Sequence, residues 1–445
     1  MADIEPRGSF TRREVEGAAV DEVREYARPV DGPRDVDDLL DTLSAADCVL
    51  LGEASHGTSE FYRWRARLTA ELIEHHGFDF VAVEGDWTSC YEVNRFVKGA
   101  DDTPPNARET LDTFERWPTW MWANWETVGL LDWLETYNRE LDADERAGFY
   151  GLDVYSLHES MSAVVDYLDR TNPAAAQKAR EAYRCFEPYG EDAQEYARAT
   201  RMVPEDCEEE VIEVLEDLRR SAPEYGGGPD ARFNAEQNAL VARNAEEYYR
   251  TMMTGRGDSW NVRDEHMAET LKRLLDHHGE DSTAVVWAHN THVGDARATD
   301  MPQQGRLNLG QLVREQDAVG DTAVVGFGTH SGKVVAGDEW GAPMANVRVP
   351  EARDGSYEDV FHRAEAEDRL LFTDDVPDDA ALAAPRGHRA IGVVYRPALE
   401  SGNYVPTALP DRYDAFVHLD RTTSLHPLEL HPEGERVPDL YPSGL

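Results

Sequence analysis

The chain alternates between short runs that are apolar at every position and longer stretches that are apolar along one stripe. Cys48-Val49-Leu50-Leu51 is the first of the short runs, and Gly52-Glu53-Ala54-Ser55-His56-Gly57 follows it directly. A run with no polar interruption predicts a strand buried on both faces. Glycines bracketing polar residues predict a sharp strand-to-helix turn. From Thr58 to His76, Phe61, Arg65, Leu68 and Leu72 recur at helical spacing, which predicts a helix with Thr58 at its start and Gly77 at its end. The alternation continues with strands over 78–87, 148–154, 283–289, 322–328, 390–395 and 415–420, and helices over 36–43, 88–98 and 128–140. Residues 156–280 carry no strand pattern. They read as helices over 157–170, 174–186, 205–220, 231–253 and 262–278, broken by glycine-rich loops at 225–228 and 254–257. Residues 1–30 read as a charged lead-in with one short helix, and the stretch between 328 and 390 as a long acidic linker.

Strands without in–out alternation, separated by helices, predict an α/β fold: a mainly parallel central sheet with helices on both faces. The expectation is one domain over 1–445. Its α/β core spans about 30–155 and 280–425, and a large helical insertion, about 156–280, forms a lid over the active edge. In such sheets ligands bind at the carboxyl ends of the strands. Those ends carry Glu53 and His56 after the first strand, Glu84 after the second, Asp153 after the third, and His289 and His292 after the fourth. Arg65, inside an apolar stripe, requires a buried anion as partner, and Glu53 and Glu84 are the nearest of the strand-end candidates in sequence.

Two chemistries suit this set. In one, an imidazole oriented by a carboxylate takes a proton from water, and Arg65 with a second histidine stabilises an oxyanion. In the other, the same residues ligate a metal that activates water. The spacing does not separate them, and no His-Glu-x-x-His sequence is present. No Gly-x-Ser-x-Gly elbow supports a serine nucleophile, although Ser55 lies between Ala54 and His56. Phosphate-binding glycine loops are also missing. Trp117, Trp120 and Trp122, in a segment with Trp125, read either as core or as the wall of an apolar ligand pocket. A non-catalytic binder of a hydrophobic ligand is therefore a third reading.

Charge narrows the setting. There are 88 acidic and 44 basic residues, a net charge of −44, and the acid is spread along the whole chain. Only four of the basic residues are lysines: Lys98, Lys178, Lys272 and Lys333. Such a surface suits a salt-rich, halophilic cytoplasm, where self-repulsion is screened, and disfavours nucleic-acid binding, which needs a basic footprint. No apolar run reaches the ~18 residues of a membrane span, and Met-Ala-Asp-Ile-Glu-Pro-Arg has no apolar signal region. Cys48, Cys90, Cys185 and Cys207 show no Cys-x-x-Cys spacing and are expected as reduced thiols.

Several stretches together resemble the erythromycin esterase family. They are Gly52–Gly57 with Phe61 and Arg65; Val83-Glu84-Gly85-Asp86-Trp87 with Asn94-Arg95-Phe96; and Trp117-Pro118-Thr119-Trp120-Met121-Trp122. Further matches are Phe149–Asp153, Asn261-Val262-Arg263-Asp264, Trp287–His292, Gly326–Thr329 and Val394–Pro397, all in consistent order. The resemblance implies a metal-independent hydrolase with no cofactor, acting on a small-molecule ester or lactone, as members that open macrolides with water do. It also implies His56 as general base, oriented by Glu53, with Arg65, Glu84, His289 and His292 lining the same site. The tryptophan-rich segment and Asp153 would serve the substrate. Gly85 stands where the family more often has alanine.

The acidic surface carries its own prediction. The thermal unfolding midpoint should rise steeply from low salt to molar KCl. Melts at graded salt measure this, and full stability at low ionic strength would contradict the halophilic reading.

Overall fold

The computed structural model describes residues 12–189, 193–200, 206–221, 228–252, 258–316 and 319–429. Its strands are β1 Arg28–Pro29, β2 Cys48–Leu51, β3 Phe80–Asp86, β4 Gly148–Asp153, β5 Ala284–Trp287, β6 Thr322–Ala336, β7 Ala345–Val349, β8 Arg369–Phe372, β9 Arg386–Arg389, β10 Tyr404–Thr407 and β11 Ala415–Thr422. Nine of them form one sheet in the order β1-β8-β11-β6-β2-β5-β3-β4, with β7 added to β6. From β11 to β4 every neighbour pair is parallel. The antiparallel pairs lie at the β1–β8–β11 edge and at β6–β7. Helices cover both faces.

The register sets the heights of the strand ends. Leu51 on β2 and Val83 on β3 both pair with Trp287 on β5, the strand between them. Glu53, Glu84 and His289 therefore leave three adjacent strands within one or two residues of a common level. Asp153 ends the next strand, paired with Asp86. Every residue of β2 and β5 is buried, as their continuous apolar sequence requires.

The helix Ser59–His76 begins after Thr58 and ends at Gly77, which adopts the left-handed conformation (φ 76°) that glycine takes without a Cβ penalty. Gly52 is small for a packing reason: a Cβ there would overlap Asn290 Oδ1.

Three expectations are corrected. Residues 390–395 are not a sheet strand. Ile391 and Tyr395 are buried and pack with Val334, Ala336 and Val349, but the segment pairs only through isolated bridges to Ser55 and Gly337. Its burial mimics a strand pattern, while its amides go to separate partners: Ile391 N–H donates to the Ala54 carbonyl of the site turn at 2.8 Å, and Tyr395 N–H to the Gly337 carbonyl at 2.9 Å. The acidic linker contains β7, β8, β9 and the helix Tyr357–Ala364. The third concerns the cysteines. Cys48 and Cys90 are free and buried, but Cys185 and Cys207 form a disulfide, because the folded helices bring positions 22 residues apart into contact.

The helices between 157 and 278 have their own core, in which Val164, Leu168, Tyr196, Leu240 and Tyr249 take part. A helix not foreseen from the sequence, Ala193–Thr200, belongs to them. The glycine-rich stretches at 225–227 and 254–257 lie outside the described residues. Among the described residues no helix is long and apolar enough to cross a membrane.

Thiol counting tests the cysteine assignment. The denatured, unreduced chain should titrate as two thiols and the reduced chain as four; four without reductant would overturn the disulfide.

Candidate active site

The turn after β2 folds back so that Glu53 and His56 touch: His56 Nδ1 lies 2.8 Å from Glu53 Oε1. The other carboxylate oxygen accepts a 2.6 Å hydrogen bond from Arg65 Nη2. Glu53 and Arg65 are each 1% exposed. Arg65 also stacks over Tyr62 and Trp287, 4.5 and 4.7 Å from the ring centres. A guanidinium sits in an apolar stripe because the stripe faces a carboxylate and two aromatic rings.

Across from this pair, Glu84 accepts from the His289 backbone N–H at 2.8 Å and from Arg263 Nη2 at 2.6 Å. Arg263 also holds both oxygens of Asp153, at 2.9 and 2.7 Å. His292 Nδ1 lies 2.9 Å from Asp264, and its ring stacks flat on Trp260, 4.6 Å between centres. The His56 and His289 ring centres lie 5.0 Å apart, the rings tilted by 46°. The structure thus brings Glu53, His56, Arg65, Glu84, Asp153, His289 and His292 together. Ser55 turns away from this set and hydrogen-bonds Thr58 instead.

The tryptophans are placed differently. Trp122 packs between Tyr62 and Phe149 and donates to the Glu84 carbonyl at 3.2 Å, supporting the site through its backbone. Trp120 is a core residue, 1% exposed. Trp117 packs on Trp340 and donates to the Ala342 carbonyl. Among the described residues, none of the three makes a ring contact or hydrogen bond with a site histidine.

Sequence reasoning took Asn261-Val262-Arg263-Asp264 only as part of a family resemblance and missed the contribution of Arg263 and Asp264. Both come from the helix Asp258–His278 of the 157–278 array. The available signal was a pair of adjacent opposite charges at a predicted helix start.

The sequence profile of the erythromycin esterase family matches residues 73–422. The chain belongs to this family. The matched span begins after His56 and Arg65, so the Glu53 turn stands on its geometry. "Erythromycin esterase type II" of Escherichia coli is 23% identical over 380 residues, covering 79% of this chain and 86% of that protein. Solved structures share the fold. A succinoglycan biosynthesis protein aligns with a TM-score of 0.76 at 21% identity, over 93% of this chain and 98% of its own. A Bacillus cereus protein gives 0.78 at 18% identity, over 93% and 99%. An erythromycin esterase in its open conformation gives 0.65 at 19% identity, over 86% and 93%.

Within this erythromycin esterase fold the hydrogen bonds assign the imidazole protons. His56 Nδ1 faces a carboxylate, so it carries the proton and leaves Nε2 with the lone pair. His289 Nδ1 accepts the Thr291 backbone N–H at 3.3 Å and lies 2.8 Å from the Thr291 hydroxyl. Its proton is therefore on Nε2, a buried atom. Burial, opposed by Glu84 and by Glu53, leaves His56 with a pKa above the ordinary histidine value. Burial and the neighbouring His56 hold His289 well below it. Burial opposes ionisation of Glu84, but His292, Arg263 and His56 more than offset it and keep its pKa well below the usual carboxylate range. Among the described residues no group of three or more His, Cys, Asp or Glu side chains is arranged to hold a metal ion; the cations facing these carboxylates are Arg65 and Arg263.

These shifts set an acid limit on stability. Burial lowers the pKa of His289, of His266 (to about 4) and of His388. What they contribute is present above the unfolded-state value near 6.5 and is lost as pH falls towards their folded values. Glu84 adds a loss below about 4.5. His56 runs the other way, its contribution fading as pH rises through its raised value, and the carboxyl of Asp264, which burial raises, does the same. Urea unfolding at pH 7.5, 6 and 5 should show stability falling below pH 6.5, by up to roughly 1.4 kcal/mol per pH unit for each imidazole kept neutral.

Proposed function

We propose that this protein hydrolyses a carboxylic ester or lactone with His56 as the general base. The observation that carries the reading is the Glu53–His56 contact at 2.8 Å. It holds the ring in the tautomer whose Nε2 accepts a proton, with Arg65 fixing Glu53 from behind. Water positioned at His56 Nε2 gives up its proton as its oxygen attacks the carbonyl. The Nε2–H of neutral His289, 5.0 Å away between ring centres, donates to the oxyanion of the tetrahedral intermediate. The proton on His56 then passes to the departing alcohol. Glu84, next to both His289 and His292, offsets the positive charge that His56 acquires. The substrate is a small ester or lactone, macrolides included by the name of the Escherichia coli relative, and the setting is a salt-rich cytoplasm. This chemistry needs no metal.

A screen of esters and lactones, macrolides among them, in molar KCl tests the proposal. His56→Ala should lower kcat by about 10²- to 10⁴-fold with the circular dichroism spectrum unchanged, and chelators should leave turnover intact. Retained turnover in His56→Ala would sink the reading. The wild-type rate should rise with pH through a value above that of free histidine, because the neutral form of a His56 with raised pKa is the reactive one.

A further inference from the structure

Glu358 is a fully buried carboxylate that the proposed mechanism does not use. It is 0% exposed and lies in the helix Tyr357–Ala364, on a different part of the sheet from Glu53. Burying an ion costs several kcal/mol unless its surroundings compensate. Its partners are His388 Nδ1 at 2.7 Å and the Arg389 backbone N–H at 2.8 Å, both on the same oxygen. His388, 1% exposed on β9, turns its other nitrogen to Asn290 Nδ2 at 3.2 Å.

Asn290 is the residue between His289 and Thr291, and every polar atom it has is committed. Its amide orientation is set by the backbone of Phe327: Nδ2 donates to the carbonyl at 2.6 Å, and Oδ1 accepts the N–H at 3.3 Å. Nδ2 therefore faces His388 Nε2, which must accept, so His388 is neutral with its proton on Nδ1 beside Glu358. The Asn290 N–H donates to the Glu53 carbonyl at 2.9 Å, and its own carbonyl accepts from Arg412 Nη2 at 2.8 Å. Asn290 is thus the joint between the turn bearing His289 and His292 and the turn bearing Glu53 and His56. The charge behind it is Glu358, relayed through one imidazole.

We propose that Glu358 and His388 are positioning residues of the hydrolytic site: they hold the Asn290 amide and, through it, the spacing of His289 from the Glu53–His56 pair. This rests on the hydrolase reading above. Other charged or titratable groups around the relay are Arg389, Arg412, His418, Tyr357 and Tyr413.

The test combines kinetics with ¹⁵N NMR of labelled histidine rings in the full chain. Wild-type His388 should be the neutral Nδ1–H tautomer from pH 6 to 8. Asn290→Asp puts an acceptor oxygen against His388 Nε2 and should force the ring to imidazolium near neutral pH, read from its ring nitrogen shifts. Glu358→Gln and His388→Leu should lower kcat about 10- to 100-fold with KM within about twofold of wild type. His388→Gln, whose side-chain oxygen can still accept from Asn290, should recover part of that loss. Unchanged kcat per folded molecule in Glu358→Gln and His388→Leu, or an Nε2–H tautomer in wild-type His388, overturns the proposal. If no ester is turned over by the wild type, the hydrolase reading fails. The NMR arm then decides the relay alone: His289 resonances that shift in Glu358→Gln support it, and unmoved ones reject it.

Discussion

The need to pair charge where water is excluded shapes this protein more than any single packing contact. Glu53, Glu84, Asp153 and Asp264 are each at most 4% exposed, and an unpaired buried carboxylate costs several kcal/mol. Two guanidinium groups answer them. Arg65 comes from the helix that follows the first turn, and Arg263 from the helical array over the sheet. Four carboxylates against two arginines leave negative charge in excess. That excess draws protons onto imidazole, which is why His56 is raised despite burial, while burial, with the charge on His56 second, depresses His289. One site thus holds two imidazoles whose pKa values are pushed in opposite directions.

The same pairing makes the sheet and the helical array depend on each other. Arg263 bridges Glu84 at the end of β3 and Asp153 at the end of β4. Asp264, the next residue, holds His292 and accepts the Leu309 backbone N–H. Pulling the helix Asp258–His278 away would strand two carboxylates of the sheet and free the ring of His292. The site and the array are thus joined through two residues adjacent in sequence.

Much of this was legible from local pattern. The unbroken apolar runs at 48–51 and 284–287 announced buried parallel strands, and the residues after them announced the site. Arg65 was legible as a misfit whose anion had to be near. The tryptophans were ambiguous because core and pocket wall use the same rings; Trp122 reaches the site by its hydrogen bond to the Glu84 carbonyl. Residues 390–395 misled because a buried extended clamp and a strand share one pattern, and hydropathy does not say where amides go. The Cys185–Cys207 bond and the Glu358–His388–Asn290 chain join partners with no sequence signal of proximity.

The class of fold could be read from the sequence, as could the cluster of Glu53, His56, Arg65, Glu84, Asp153, His289 and His292 that the folded chain brings together. Burial and turn formation are local properties, written in hydrophobic spacing and glycine placement. The strand order that inserts β5 between β2 and β3, the pairing of Arg65 with Glu53, and the arrival of Arg263 and Asp264 from the helical array emerge only in the folded chain. Those are decisions about which charges meet across long stretches of chain, and the energy that makes them exists only once water has been excluded between the partners.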